Sequence, residues 1–166
     1  MENRICELIV QIWAEERIPL SWVDAVICPI HKKGDVQNCE NFRGISLVNA
    51  AYMILLIVLY GRLKPHANQI IGQYQCGFRG VSTIDQIQTQ RQILEKTLEF
   101  QIETHNLFID FKTAYDKFNR NQLYKAILEF SIPPQLVRLT QATMKGTTAK
   151  VKVQNEISES FLYKMG

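Results

Sequence analysis

Apolar residues recur with a helical period in several stretches of the chain. Residues 3–16 are predicted to form an amphipathic helix, with its apolar face made of Ile5, Leu8, Ile9, Ile12 and Trp13. The run "VNAAYMILLIVLY" predicts a long apolar helix over about residues 48–63, closed by Lys64-Pro65. Three more helices are predicted: one that starts from a Ser82/Asp85 capping-box pattern and carries Ile84, Ile87, Leu94 and Leu98, one through Leu123, Ala126, Ile127 and Phe130, and one from Pro133-Pro134.

Shorter apolar runs predict the strands. "WVDAVICPIHK" (residues 22–32) is typical of a strand, in which Pro29 indicates an edge or a bulge. A turn-rich loop is expected over 32–44, a structured glycine-rich loop over 70–83, and a short apolar strand over 105–111. The tail alternates like a hairpin with its turn near Gln154-Asn155. The pattern predicts an α+β fold with helices packed on a small, mostly antiparallel sheet.

Length and composition favour an ordinary globular domain. The chain has 166 residues, of which 46% are hydrophobic and 21% charged, so it is not disordered, and its length is enough for one domain and marginal for two. Its most apolar run is shorter than the roughly 20 residues that a membrane helix needs, and its N-terminus is unlike a signal peptide. Four cysteines without a CxxC pair (Cys6, Cys28, Cys39 and Cys76) predict buried, reduced thiols in an intracellular protein, nuclear or cytoplasmic, with no membrane partner.

The charges are unevenly distributed. Residues 41–84 contain no acid but four cations (Arg43, Arg62, Lys64 and Arg79), and residues 135–154 contain no acid but four more (Arg138, Lys145, Lys150 and Lys152). Between these basic blocks, residues 85–116 hold six acids. This distribution suits a polyanion held around a metal-binding core, and chance clustering of solvated charges explains it equally well.

Asp110 ends the predicted strand over 105–111. Its carboxylate is costly at the end of a core strand unless it is solvated, hydrogen-bonded or bound to a cation. One interpretation is that it caps a helical turn starting at Phe111; the other is that it binds Mg²⁺, which takes one or two carboxylates plus substrate phosphates. The stretch alone favours the cap.

Four motifs in succession change that weighting. "DAVICPIHKKGD", "NFRGISL", "QCGFR" and "FIDFKTAYD" stand in an order and at spacings that resemble the reverse transcriptase domain of non-LTR (LINE-like) retrotransposons, from about Pro19 to Gly166. The resemblance implies the fingers and first part of the palm of a right-hand polymerase. It divides the chain into an N-terminal helical extension (1–20), a fingers-like region (21–100) and the start of a palm (101–166).

The resemblance also implies roles for the residues around Asp110. Asp110 itself matches a catalytic Mg²⁺ ligand, and Phe111 would offer its backbone. Tyr115 matches an aromatic ring under the sugar that excludes a 2′-hydroxyl, while the backbone N–H groups of Thr113 and Ala114 would meet the triphosphate. Asp116 is expected to have a structural role, orienting the turn or capping the helix near Asn119.

Further residues are matched to substrate contacts. Arg43 matches an arginine of the fingers that forks onto the phosphates of the incoming nucleotide, and Lys32 and Lys33 are both candidates for a neighbouring lysine. The residues implied to lie near the template strand are Gln75, Gly77, Phe78 and Arg79. Gly77 is expected to need a positive φ or a close backbone approach.

The activity implied is RNA-templated DNA synthesis: Mg²⁺-dependent transfer of nucleotides from dNTPs to the 3′-hydroxyl of a DNA primer on an RNA template. The Tyr-x-Asp-Asp turn of the family is not found in these 166 residues, so the polypeptide by itself is expected to be inactive. The alternative is a non-catalytic nucleic-acid-binding remnant of a transposable element that uses the two basic blocks. The oligomeric state is not predicted.

Overall fold

The structure is a computed structural model that describes residues 2–80, 82–111 and 114–162. The chain divides into two compact units. The first unit consists of Met1–Lys64 and Tyr115–Gly166, and the second of Pro65–Ala114. The predicted segments 1–20, 21–100 and 101–166 follow the family's architecture rather than these units, and they stay a prediction.

Helices and a small mixed sheet make up the fold, which confirms the predicted α+β class. The helices are α1 (Glu2–Glu15), α2 (Leu20–Val23), α3 (Ala50–Ile70), α4 (Ile84–Glu99), α5 (Ala114–Lys117), α6 (Arg120–Glu129) and α7 (Pro134–Met144). The strands are β1 (Asp24–His31), β2 (Phe42–Leu47), β3 (Thr148–Val153), β4 (Glu156–Ile157) and β5 (Phe161–Leu162). A 3₁₀ turn, Cys39–Asn41, precedes β2.

The sheet lies in the first unit, with strand order β2-β1-β3-β4 and with β5 paired to β3. Only the β1–β3 pairing is parallel among the described strands, so the sheet is mostly antiparallel, as predicted. Strand β2 was not predicted, and the loop expected over 32–44 ends earlier than predicted because β2 begins at Phe42. The apolar residues Ile45 and Leu47 of β2 are about half exposed. The strand forms because it pairs with β1, and the local sequence does not reveal that pairing.

The prediction that Pro29 marks an edge strand or a bulge was wrong. Strand β1 is central, with β2 on one side and β3 on the other. Pairing with β3 runs from Asp24 to Ile27, so Pro29 lies beyond it, opposite Gly44 of β2. A proline is tolerated in a central strand here because the ladder with β3 has ended before its missing N–H is reached.

Buried side chains from the helices and from one face of the sheet form the core of the first unit. The contributing residues include Ile12 of α1, Trp22 of α2, Leu55 and Leu59 of α3, Val137 and Leu139 of α7, and Ala149 of β3. Within this core the Tyr52 hydroxyl donates a hydrogen bond of 2.9 Å to the Thr143 carbonyl. Burial raises the pKa of Tyr52, and the bond to Thr143 offsets part of that rise.

Helix α3 continues past the point where the sequence was expected to end it. Pro65 lies inside the helix, which runs on to Ile70. The proline removes only the bond that its own N–H would have donated to the Gly61 carbonyl, and the remaining turns persist. In the part of the chain that the structure describes, no helix, α3 included, is both long and apolar enough to cross a membrane.

The second unit corrects two predictions. The strand expected over 105–111 is absent: residues 102–111 have no regular structure, and Leu107, Phe108 and Ile109 are 72–85% exposed. An apolar run becomes a strand only when a neighbouring strand satisfies its backbone. The capping box was also wrong, because Thr83 precedes α4 without a side-chain cap and the Ser82 hydroxyl accepts from the Ile84 N–H instead, at 3.2 Å.

The cysteines are all free, and their burial varies. Cys76 is buried and Cys28 is half-buried, as expected for small apolar side chains. Cys6 and Cys39 are exposed, so the expectation of burial was wrong for these two.

Candidate functional site

Asp110 lies on the irregular segment 102–111 of the second unit, and its side chain is exposed. Within the described residues its carboxylate has neither a hydrogen bond nor an ion pair, so nothing there supports the helix-cap interpretation. A carboxylate is the type of ligand that Mg²⁺ prefers. However, no group of three His, Cys, Asp or Glu side chains that could hold a metal occurs among residues 2–80, 82–111 and 114–162. Asp110 therefore fits a metal as one ligand and not as a complete site.

The residues that follow Asp110 are only partly described. Phe111 is 75% exposed, and Ala114 is the first residue of α5, so its N–H is a helix-start amide, whose contact with the triphosphate stays a prediction. Thr113 lies outside the described residues. Tyr115 belongs to α5, as does Asp116, and their side chains also lie outside what the structure describes. The helix near Asn119 is capped by Asn119 itself, whose side chain accepts from the Gln122 N–H at 3.1 Å.

The β1–β2 hairpin brings Arg43 and the two candidate lysines together in the first unit. Arg43 lies opposite Ile30, and Lys32 and Lys33 follow directly after β1. The Lys32 N–H donates to the Asn41 carbonyl at 2.8 Å, which extends the hairpin by one step. All three side chains are exposed and have no hydrogen-bond or ion-pair partner in the described part of the chain. The hairpin therefore presents cations to solvent.

The loop that carries these lysines is ordered by polar residues that the motif comparison did not single out. Asp35 accepts from the Gln37 N–H at 2.9 Å, and Asn38 accepts from the Glu40 N–H at 2.9 Å. The Asn41 amide donates to the Asp35 carbonyl at 2.8 Å. Asx residues spaced three apart in a glycine-containing loop are the signal from which this could have been predicted.

Arg79 has a structural role in the second unit that the sequence did not predict. Its Nη1 donates to the carbonyls of Ile71, Gly72 and Gln75 at 3.2, 2.8 and 3.2 Å, and Nη2 reaches Asn68 Oδ1 at 3.4 Å. The guanidinium thus satisfies carbonyls at and just beyond the end of α3, where a cation also complements the helix dipole. A contact with a template phosphate would compete with these bonds.

Replacing Arg79 by glutamine is expected to destabilise the chain by about 1–3 kcal/mol, because several carbonyls lose a charged donor. The measurement is thermal unfolding followed by circular dichroism. The matched control is Arg62→Gln, since Arg62 is exposed on α3 and makes no ion pair or hydrogen bond in the described residues. Unchanged stability together with weakened RNA binding would instead assign Arg79 to the template.

The other residues matched to the template lie in the same loop. Phe78 is 91% exposed and has a φ of +61°, and Gly80 has a φ of +74°. Gly77 does not have a positive φ, and a Cβ added there would meet nothing closer than 3.8 Å. The positive φ expected at Gly77 was therefore wrong, whereas a close approach of the template strand to its backbone stays a prediction. Gln75 is exposed, so it and Phe78 present side chains at the surface.

One cation of the second basic block, Arg138, is already paired with an acidic residue of the same chain. Arg138 of α7 makes a two-bond ion pair with Glu16, at 2.5 and 2.7 Å. The hydrogen bond from Arg138 is the main cause of a lowered pKa at Glu16. Lys145, Lys150 and Lys152 of the same block are exposed. The block is thus less available to a polyanion than its sequence indicates.

The sequence is similar to known proteins. Residues 30–165 match the family described as "Reverse transcriptase (RNA-dependent DNA polymerase)", a range that includes Arg43, Arg79, Asp110 and Tyr115. The chain is also similar to the "Transposon TX1 uncharacterized 149 kDa protein" of Xenopus laevis, with 22% identity over 160 residues. That alignment covers 96% of this chain and 12% of the Xenopus protein, so the chain spans a small part of that relative's length.

Proposed function

Because the chain belongs to the reverse transcriptase (RNA-dependent DNA polymerase) family, we propose that it contributes nucleotide- and template-binding residues to the RNA-directed DNA polymerase of a non-LTR retrotransposon. The match over residues 30–165 carries this proposal, and the similarity to a transposon protein supports it. The family that the four motifs predicted is thereby confirmed.

Polymerases of this family act on a nucleic-acid template and primer with nucleotide substrates, and they use divalent metal ions. We propose that the ion is Mg²⁺ and that Asp110 is the ligand that this chain supplies. The exposure of Asp110 and the absence of a protein partner for it in the described residues support this role. When bound, the ion would stabilise negative charge on the phosphates of the nucleotide.

The hairpin residues are proposed to bind the triphosphate. Arg43 can form two parallel hydrogen bonds with phosphate oxygens. Side chains alternate between the two faces of a strand, and the bond from the Lys32 N–H to the Asn41 carbonyl extends the hairpin by one step, so Lys32, two residues after Ile30, shares the face of Arg43. Lys33 lies in a bend beyond that last hairpin bond. We therefore assign the lysine contact to Lys32. The role of Tyr115 in excluding a 2′-hydroxyl rests on its match to the family motif alone.

A non-catalytic nucleic-acid-binding remnant is the less favoured function. The match to the polymerase family extends through the motif that contains Asp110 and Tyr115. In addition, Arg79 and Arg138, which belong to the two basic blocks, are held by carbonyls and by Glu16. Binding through the basic blocks alone therefore has less support than it had from the sequence.

Nucleotide binding tests the proposal without requiring turnover. We expect the 166-residue chain to bind dTTP in the presence of Mg²⁺, measured by equilibrium dialysis, and Arg43→Ala to weaken that binding about tenfold or more, as loss of hydrogen bonds to a charged group does. Arg4→Ala, an exposed cation on α1, is the matched control. No dTTP binding by the wild-type chain, or equal binding by Arg43→Ala, would refute the proposal.

A further inference from the structure

Two lysines that the family motifs do not include lie on the same sheet face as Arg43. Ile45 pairs with Cys28 across β2 and β1, and Val26 pairs with Lys150 across β1 and β3. Paired residues share a face of a sheet, and so do residues two apart in one strand. Arg43, Ile45, Val26, Cys28, Lys150 and Lys152 therefore lie on one face, here called the outer sheet face.

The opposite face of the sheet is the one that packs on the core. Ala149 precedes Lys150 in β3, so its side chain lies on the opposite face, and it is 2% exposed. Lys150 and Lys152 are exposed. On β2, Ile45 is 46% exposed. The outer sheet face is thus open to solvent, and it combines an apolar floor with cations at its two sides.

The cations of the outer sheet face are free of acidic partners in the described residues. Neither Lys150 nor Lys152 makes a hydrogen bond or ion pair there. Asp24 precedes Val26 by two residues on the same face, and its carboxylate accepts a hydrogen bond from the Thr148 hydroxyl. Glu156 pairs with Val153 and so belongs to the other face. The outer sheet face keeps a net positive charge.

The spacing of the cations suits a polynucleotide backbone. Lys150 and Lys152 are two residues apart in one strand, which places their Cα atoms about 6.6 Å from each other. Arg43 lies two strands away and, because it pairs with Ile30 whereas Lys152 is level with Cys28, two residues further along β1, so its Cα atom is about 12 Å from that of Lys152. The two lysines are thus close enough to meet neighbouring phosphates of an extended single strand, and the apolar floor lies between them and Arg43.

We propose that the outer sheet face binds one single strand of nucleic acid, with Lys150 and Lys152 contacting its phosphates and the floor of Ile45, Val26 and Cys28 contacting its sugars and bases. The inference rests on the proposed function, because a nucleic acid is a substrate of the family. A single strand fits better than a duplex, since its bases are free to contact apolar side chains while its phosphates meet the lysines.

The test compares the Lys150→Ala/Lys152→Ala variant with Arg4→Ala/Lys125→Ala, which removes two exposed cations from helices α1 and α6. Binding of a labelled oligouridine RNA is followed by fluorescence anisotropy over a range of KCl concentrations, with EDTA and without nucleotide. Each phosphate contact contributes about 0.7 to the slope of log K against log salt for a single strand. We expect the Lys150/Lys152 variant to lose about 1.4 from that slope, and the control variant to match the wild type.

Two results would overturn the inference: an equal loss of slope in the two variants, or binding of an RNA duplex as tight as that of the single strand. Ile45→Ser, which keeps all cations, is expected to weaken single-strand binding with an unchanged slope. Circular dichroism checks the fold, and Lys150→Gln/Lys152→Gln replaces the alanine variant if that variant unfolds. The assay omits metal and nucleotide, so the two proposals fail separately. A wild-type chain that binds Mg–dTTP but does not bind the single-stranded RNA overturns this inference alone, and a wild-type chain that binds the RNA but not Mg–dTTP overturns the proposed function alone.

Discussion

Replacing Asp110 by asparagine is expected to lower the affinity of the chain for dTTP in Mg²⁺ by at least about tenfold, to the level that the wild-type chain shows in EDTA. Asparagine keeps the shape of the side chain but removes the negative charge that a hard cation requires. Loss of residues that merely support a metal ligand already costs about 10- to 100-fold in metal affinity, so loss of a direct ligand should cost no less. The measurement is equilibrium dialysis of dTTP with and without Mg²⁺.

Asp85→Asn is the matched control for this change. Asp85 is exposed in the first turn of α4, so the variant makes the same chemical change in the same unit. We expect Asp85→Asn to bind dTTP as the wild-type chain does, with the same dependence on Mg²⁺. If Asp110→Asn also retained a Mg²⁺-dependent affinity equal to that of the wild type, Asp110 would not be a metal ligand.

Leu139→Ala is expected to destabilise the chain by about 2–5 kcal/mol, the range found when a fully buried leucine is truncated and a cavity remains. Leu139 lies in α7 and is 1% exposed, in the core that supports the sheet. Since small domains are stable by only about 5–15 kcal/mol, a loss of this size removes a large part of the total. Urea unfolding followed by tryptophan fluorescence measures it.

An exposed leucine provides the comparison. Leu128 lies in α6 and is 49% exposed, and we expect Leu128→Ala to cost less than about 1 kcal/mol. Similar losses for the two variants would mean that α7 does not bury Leu139 as the structure shows. The comparison holds helix propensity constant, because both substitutions are leucine to alanine within a helix.

Helices were predicted well because their signals are local. Ile12 of α1 is buried on the predicted face, and α7 starts at Pro134 as its proline pair indicates. Strands depend on partners distant in sequence: β2 has a weak local pattern and forms against β1, whereas residues 105–111 have a strong apolar pattern and form no strand. Pro65 misled the prediction in the opposite direction, because the loss of one backbone hydrogen bond did not end α3.

For the candidate site, the sequence indicates the chemistry of each side chain but not the contacts that the side chain makes. Arg43 stands exposed on the β1–β2 hairpin, so it is accessible to a ligand, and its contact with phosphate stays a prediction. Arg79 has the same chemistry, but its position near the end of α3 gives it carbonyl partners, which a motif cannot reveal. The roles of Thr113 and Tyr115 stay predictions because they depend on atoms outside the described residues. The intracellular location also stays a prediction, because the structure does not bear on it.

The exposed apolar segment around Asp110 has a practical consequence for the solubility of the protein. From Leu107 to Phe111 every residue except Asp110 is apolar, and those apolar side chains are 72–85% exposed. Exposed apolar side chains of this kind promote association between chains, and a single charge among them acts as a gatekeeper against aggregation. We therefore expect the Asp110 carboxylate, which is proposed to bind metal, also to limit association between molecules, and light scattering should accompany every measurement on Asp110→Asn.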